Sequence, residues 1–156
     1  MRHDDVIRQQ ARDKGLDPTL IAAVIYRESH FRPRESAAGA QGLMQILPST
    51  AKYIARKSGG TAFETGDLAT PQINIAYGSW YLKYLLQTYD GDELTALAAY
   101  NAGEGRVNQW LRDSGKDGGK ITDADEIPFA ETRNYVTDVL ETRDEYRRQY
   151  ARELTL

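Results

Sequence analysis

Three prolines constrain this chain more than any other feature. Pro18, Pro48 and Pro71 each open a run with helical spacing, and proline suits a first helical position because its missing N–H would have no partner there anyway. Asp17 precedes Pro18 as a side-chain acceptor for the free amides of the first turn, and Thr70 precedes Pro71 in the same grammar. The run after Pro71 carries Ile73, Ile75, Tyr77, Trp80, Tyr81, Tyr84 and Leu85 as far as Asp90-Gly91, with the aromatic members expected in the core. "DDVIRQQARDKG" predicts an earlier helix capped by Asp4 or Asp5 and stopped by Gly15. Further helices are predicted from Asp92 to Asn101, across "EGRVNQWLRD", and after Pro128, where Tyr135, Val136, Val139, Leu140, Tyr146 and Tyr150 recur amphipathically. The intervening "SGKDGGKITDADE" is expected to be a mobile polar loop. No period-two run competes, so the expected fold class is mainly α.

A length of 156 residues suits one domain with a real core, and no repeat or composition shift marks a second. Hydrophobic residues at 40% and charged residues at 28% describe a globular protein. A formal charge of -3 argues against a phosphate-tracking surface, so no nucleic-acid partner is expected. The chain has no cysteine, which removes disulfides, thiolate nucleophiles and thiolate metal sites. With only His3 and His30, a helical zinc-protease site cannot be built. There is no Gly-x-Ser-x-Gly elbow, "SGKDGGKIT" lacks the first glycine and final hydroxyl of a phosphate loop, and "TDADE" lacks the glycine and spaced ligands of a calcium loop. No metal site is predicted. No run is long and apolar enough for a membrane span, and the charged N-terminus has no export signal.

The helix after Pro18 holds the first chemical clue. Leu20, Ile21, Val24 and Ile25 form one stripe, and Glu28 follows Val24 by four and Ile21 by seven, in line with it. A carboxyl there sits in apolar surroundings near the partially negative helix C-terminus, and both conditions favour its protonated form. A general acid needs that combination. Position alone favours a carboxylate swung out to Arg27, Arg32 or Arg34. Next, "RPRESAAGAQGLMQILPSTA" turns through Gly39 and Gly42 into an apolar run with one amide, Gln45. In "LAAYNAGEGRV", Tyr100 and Asn101 end a helix before Gly103, an arrangement open to two readings: a core tyrosine with a capping asparagine, or a binding wall.

In order, "RESHF", "GAQGLMQILPSTA", "ALAAYNAGEGRV" and "IPFAETRNYV" resemble the catalytic domain of the soluble lytic transglycosylases over about residues 16 to 140. The segment between Glu28 and "GLMQ" is about a residue shorter than in that family. The resemblance implies a lysozyme-like fold and a single catalytic domain over residues 1–156. It implies that Glu28 is the lone acid/base, that Ser36 and Gln45 line the cleft beside it, and that Tyr100 and Asn101 border the reacting sugar. Glu131 is then expected to contact substrate or brace the cleft, and Met44, Leu47 and Phe129 to be apolar walls.

The substrate so implied is the glycan strand of peptidoglycan, cut between N-acetylmuramic acid and N-acetylglucosamine without water, leaving a 1,6-anhydro end. No metal or organic cofactor is expected, and the implied state is a monomer. The implied location is the cell envelope, with a signal, anchor or further domains belonging to a longer parent. Two alternatives remain open at this point: a goose-type lysozyme-like hydrolase with Glu35 or Glu131 holding a water, and a non-catalytic wall-binding module.

Overall fold

The computed structural model describes residues 1–59 and 65–156, and among these described residues there are seven α-helices and two short 3-10 segments. The helices are α1 (Asp4–Lys14), α2 (Pro18–Ser29), α3 (Pro48–Ser58), α4 (Pro71–Thr88), α5 (Glu93–Ala102), α6 (Glu104–Asp113) and α7 (Ala130–Gln149). The 3-10 segments are Thr65–Ala69 and Ala124–Glu126. No strand occurs among the described residues, only the isolated antiparallel bridges Glu35–Gln41 and Gln41–Ile46. The chain forms two compact units, residues 1–81 with 142–156, and residues 82–141.

The proline-led starts are as predicted. Pro18, Pro48 and Pro71 are the first residues of α2, α3 and α4. Asp17 caps α2 by accepting the Thr19 amide at 2.8 Å, and Asp92 caps α5 by accepting the Thr95 amide at 3.0 Å. Gly15 ends α1 in the left-handed conformation. The expected start of α1 needs correction: the flanking residue is His3, and Asp4 lies inside the first turn with its carboxylate on Arg8 at 2.6 Å. An i,i+4 partner has drawn the side chain away from the helix end.

In the first unit the core gathers on α2, where Leu20 through Ile25 are each at most 2% exposed, so the helix is buried on more than one stripe. Ile7, Leu43, Met44, Ile54 and Ile75 complete that core. In the second unit the core comprises Leu82, Leu85, Leu97, Val107, Ile127 and Val136. The buried stripe of α4 is Asn74, Ile75, Gly78, Ser79, Leu82 and Leu85, while Trp80, Tyr81 and Tyr84 are only half-buried. Gly78 explains the rotation: a Cβ there would collide with the Met44 sulfur, so the bare backbone opens a slot that a larger residue would close.

The loop expected to be mobile is tied down within the second unit. Ile121 within it and Ile127 just after it are buried, the Ile121 amide donates to the Thr95 hydroxyl at 2.9 Å, and Lys116 pairs with Glu126 at 2.6 Å. Apolar anchors at Ile121 and at Ile127 outweigh the polar, glycine-rich composition of the loop.

Candidate active site

Glu28 lies in the last turn of α2, half-buried, and is the only acidic residue of that helix. The helix ends two residues later at His30, which adopts the left-handed conformation at φ 52 and returns its amide to the Tyr26 carbonyl. Its ring stacks on Tyr26 at 4.6 Å between centroids. Ser29, buried beside Glu28, shares its one hydroxyl proton between the Leu43 carbonyl at 2.7 Å and the Ile25 carbonyl at 3.0 Å.

The chain after α2 folds back on that helix end through Arg34. Its guanidinium donates to the Glu28 main-chain carbonyl at 2.8 Å. Its own carbonyl accepts the Gly42 amide at 2.8 Å and the Gln45 side-chain amide at 2.9 Å. Gln45 Nε2 also donates to the Gly42 carbonyl at 2.9 Å. Its backbone is left-handed at φ 52, which costs a residue with a β-carbon roughly 1–2 kcal/mol. Glu28, Arg34 and Gln45 are therefore links of one hydrogen-bonded chain in the first unit.

Ser36 belongs to the same loop, but its hydroxyl accepts the Ala40 amide at 3.0 Å and closes a local turn. Leu47 is 39% exposed and offers apolar surface. Met44 departs from the expectation of an apolar wall: it is fully buried, its sulfur packed in the slot at Gly78. Glu35 is exposed, with its backbone bridged to Gln41.

The other expected residues belong to the second unit. Asn101, in the last turn of α5, accepts the Thr132 hydroxyl at 2.8 Å, and half-buried Tyr100 precedes it. Asn101, Phe129 and Glu131 line a cavity of about 610 Å³ together with Arg106 and Thr132. Phe129 is 45% exposed, with the Arg106 guanidinium 5.5 Å from its ring centroid and Trp110 meeting it edge-on at 5.3 Å. An exposed aromatic steadied by a cation and a second ring fits an apolar sugar face. Glu131 is exposed at the start of α7.

Sequence reasoning missed Arg106 and Thr132. Arg106 had a readable signal, lying four before Trp110 on one helix face, whereas Thr132 depends on a contact 31 residues away. Glu104 was missed as well. Burial pushes its carboxyl up, against a lowering hydrogen bond from Tyr84. Burial and the Glu104 charge push the neighbouring Tyr89 hydroxyl up to about 12, and that hydroxyl donates to Asn108 at 2.9 Å.

A family model described as the transglycosylase SLT domain matches residues 5–122. The soluble lytic murein transglycosylase of Salmonella typhimurium is 36% identical over 152 residues, 96% of this chain and 23% of that protein. The soluble lytic murein transglycosylase of Escherichia coli K12 is 34% identical over 142 residues, 90% of this chain and 22% of that one. Among solved structures, an inactive mutant of the lytic transglycosylase Slt from Pseudomonas aeruginosa matches with a TM-score of 0.86 and 37% identity, over 96% of this chain and 24% of that chain. The 70 kDa soluble lytic transglycosylase of Escherichia coli gives 0.86 and 34%, over 98% and 25%. The chain thus spans about a quarter of the length of these relatives.

Proposed function

The chain belongs to the transglycosylase SLT-domain family and has the mainly α, lysozyme-like fold of the lytic transglycosylases, and from that membership we propose that it is a catalytic domain cleaving the glycan strands of peptidoglycan. The observation that carries the reading is Glu28, a half-buried carboxyl in the last turn of α2 with no second acid on that helix. An ordinary glycosidase uses two carboxyl groups flanking the bond. A lone acid suits a reaction in which the substrate supplies the second half of the chemistry.

In the proposed reaction Glu28 protonates the glycosidic oxygen between N-acetylmuramic acid and N-acetylglucosamine as the C1–O bond breaks, with the muramoyl N-acetyl group assisting. The Glu28 carboxylate then takes the proton of the muramoyl 6-hydroxyl, whose oxygen closes on C1 as the 1,6-anhydro ring. The proton returns to Glu28 and no water is consumed. Because the attacking hydroxyl belongs to the substrate, its effective concentration is high and the protein's task is orientation. Gln45 is the side chain proposed to orient substrate in the first unit; taken by itself, the cavity lined by Asn101, Phe129 and Glu131 is the sugar-binding surface proposed for the second. The proposed place of work is the cell envelope, where murein lies.

Digestion of purified sacculi tests the reading. Mass spectrometry of the released muropeptides is expected to find ends lighter by one water than hydrolysed ends. Mainly reducing, hydrated ends assign the chain to hydrolysis, and the absence of any soluble product with the protein folded assigns it to wall binding.

A further inference from the structure

The side chain that holds the loop bearing Gln45 comes from α4. Asn74, in the first turn of that helix, is fully buried. Its Oδ1 accepts the Met44 amide at 2.8 Å, and its Nδ2 donates to the Gln41 carbonyl at 2.8 Å and the Leu68 carbonyl at 3.0 Å. One of these contacts falls on the residue before Gln45 and another four residues before it. The fit leaves no slack, because a Cβ on Gly42 would collide with the Asn74 amide and the Leu68 carbonyl. From α2, the buried Ser29 hydroxyl holds the intervening Leu43 carbonyl. A left-handed residue that carries a β-carbon persists where its surroundings over-determine it, and Gln45 is surrounded in that way.

We infer that Asn74 is a positioning residue for the proposed reaction: it holds the loop in the one conformation that aims the Gln45 side chain, and it acts on turnover through Gln45 without touching substrate. The inference rests on the reading of Gln45 as a substrate contact. The Gln45 Nε2 group is committed to the Arg34 and Gly42 carbonyls. Its Oε1 is therefore the acceptor offered to an amide N–H or hydroxyl of an N-acetylated sugar. Without Asn74, the Met44 amide and the Leu68 carbonyl lose this partner together, and the Gln41 carbonyl keeps only the Ile46 amide. The loop then gains other conformations, and the Gln45 oxygen is no longer held where a sugar meets it.

A double-mutant cycle separates this role from general support of the fold. The full chain is assayed for glycan cleavage as Asn74→Ala, Gln45→Ala and the pair, with thermal unfolding followed on the same proteins. Asn74→Ala alone is expected to lower kcat/KM about tenfold or more, since sub-ångström misplacement is costly to an oriented reaction. With Gln45 already replaced, the further loss is expected to be under about threefold, while the shift in Tm is the same in both backgrounds. An equal loss of kcat/KM in both backgrounds overturns the inference. If Asn74→Ala does not fold, Ser29→Ala, which releases only the Leu43 carbonyl and the helix carbonyl behind it, is taken through the same cycle under the same criterion. Glu28→Gln is assayed alongside: full activity there rejects the proposed function itself, whereas lost activity there with a silent Gln45→Ala rejects the positioning role alone.

Discussion

The guanidinium of Arg34 donates to the main-chain carbonyl of Glu28 at 2.8 Å. The last carbonyls of a helix have no partner within it, and a cation there also meets the negative end of the helix dipole. Arg34 thus finishes α2 from outside, at the residue whose side chain is the proposed acid. Replacing it by methionine is expected to lower stability by about 0.3–1 kcal/mol, with lysine intermediate. Urea unfolding at low and high salt checks this, and the loss should shrink as salt screens the charge.

Glu28→Gln keeps the shape of the side chain and removes its acidic proton. Cleavage of sacculi is expected to fall by about a hundredfold or more, the ordinary contribution of a general acid. Circular dichroism and the melting curve should match the parent protein. Activity within about tenfold of the parent, a loss of under ~1.4 kcal/mol of transition-state stabilisation, would falsify the assignment of Glu28.

Gly39 and Gly42 make a matched pair, both at positive φ, of 87 and 77. A Cβ on Gly39 has nothing within 4 Å, whereas one on Gly42 strikes Asn74 and Leu68. Alanine at 39 is expected to cost only the backbone preference, about 1 kcal/mol. At 42 an overpacking cost of about 1–3 kcal/mol adds to it. Denaturant midpoints for the two variants, measured side by side, test the difference, and equal midpoints would contradict the packing described at Asn74.

Asp17 links the start of α2 to α7 through Arg147, at 2.5 Å. Burial acts to raise its carboxyl, but hydrogen bonds from Thr19 and Arg147 outweigh that and hold it below the usual carboxylate value. A depressed folded-state pKa means stability that is fully present above the unfolded value, about 3.9, and lost as pH falls through the folded one. Asp17→Asn is therefore expected to lower Tm at pH 7 and to approach the parent's Tm in strongly acidic solution. A Tm difference independent of pH would assign the loss to the cap alone.

The starts of α2 and α5 were legible in the sequence because each is local: Asp17 before Pro18, and Asp92 before Thr95, determine the first turn whatever the rest of the chain does. Glu28 was legible for the same reason, since its register against Ile21 and Val24 follows from helix geometry. The loop after it was legible only in part. Its glycines and Gln45 stood out, but Met44 read as a wall and is buried, because the slot that receives it is made by Gly78, 34 positions away. Asn74 carried no warning as a polar residue near a helix start. Its burial became visible only when the α4 stripe proved to run through Gly78 and Ser79 and to leave Trp80 and Tyr81 half-covered.

Gln41 is bridged on both sides, to Glu35 and to Ile46, and its carbonyl is also gripped by Asn74. Breaking any one of these bonds leaves the others in place, so Gln41 does not come free by the loss of a single bond. The stretch around Gln41 is therefore expected to open as a cooperative unit, with its protection set by the loss of several bonds at once. Most connecting loops fray residue by residue; this one gains the all-or-none character of a secondary-structure element while contributing no regular strand or helix of its own.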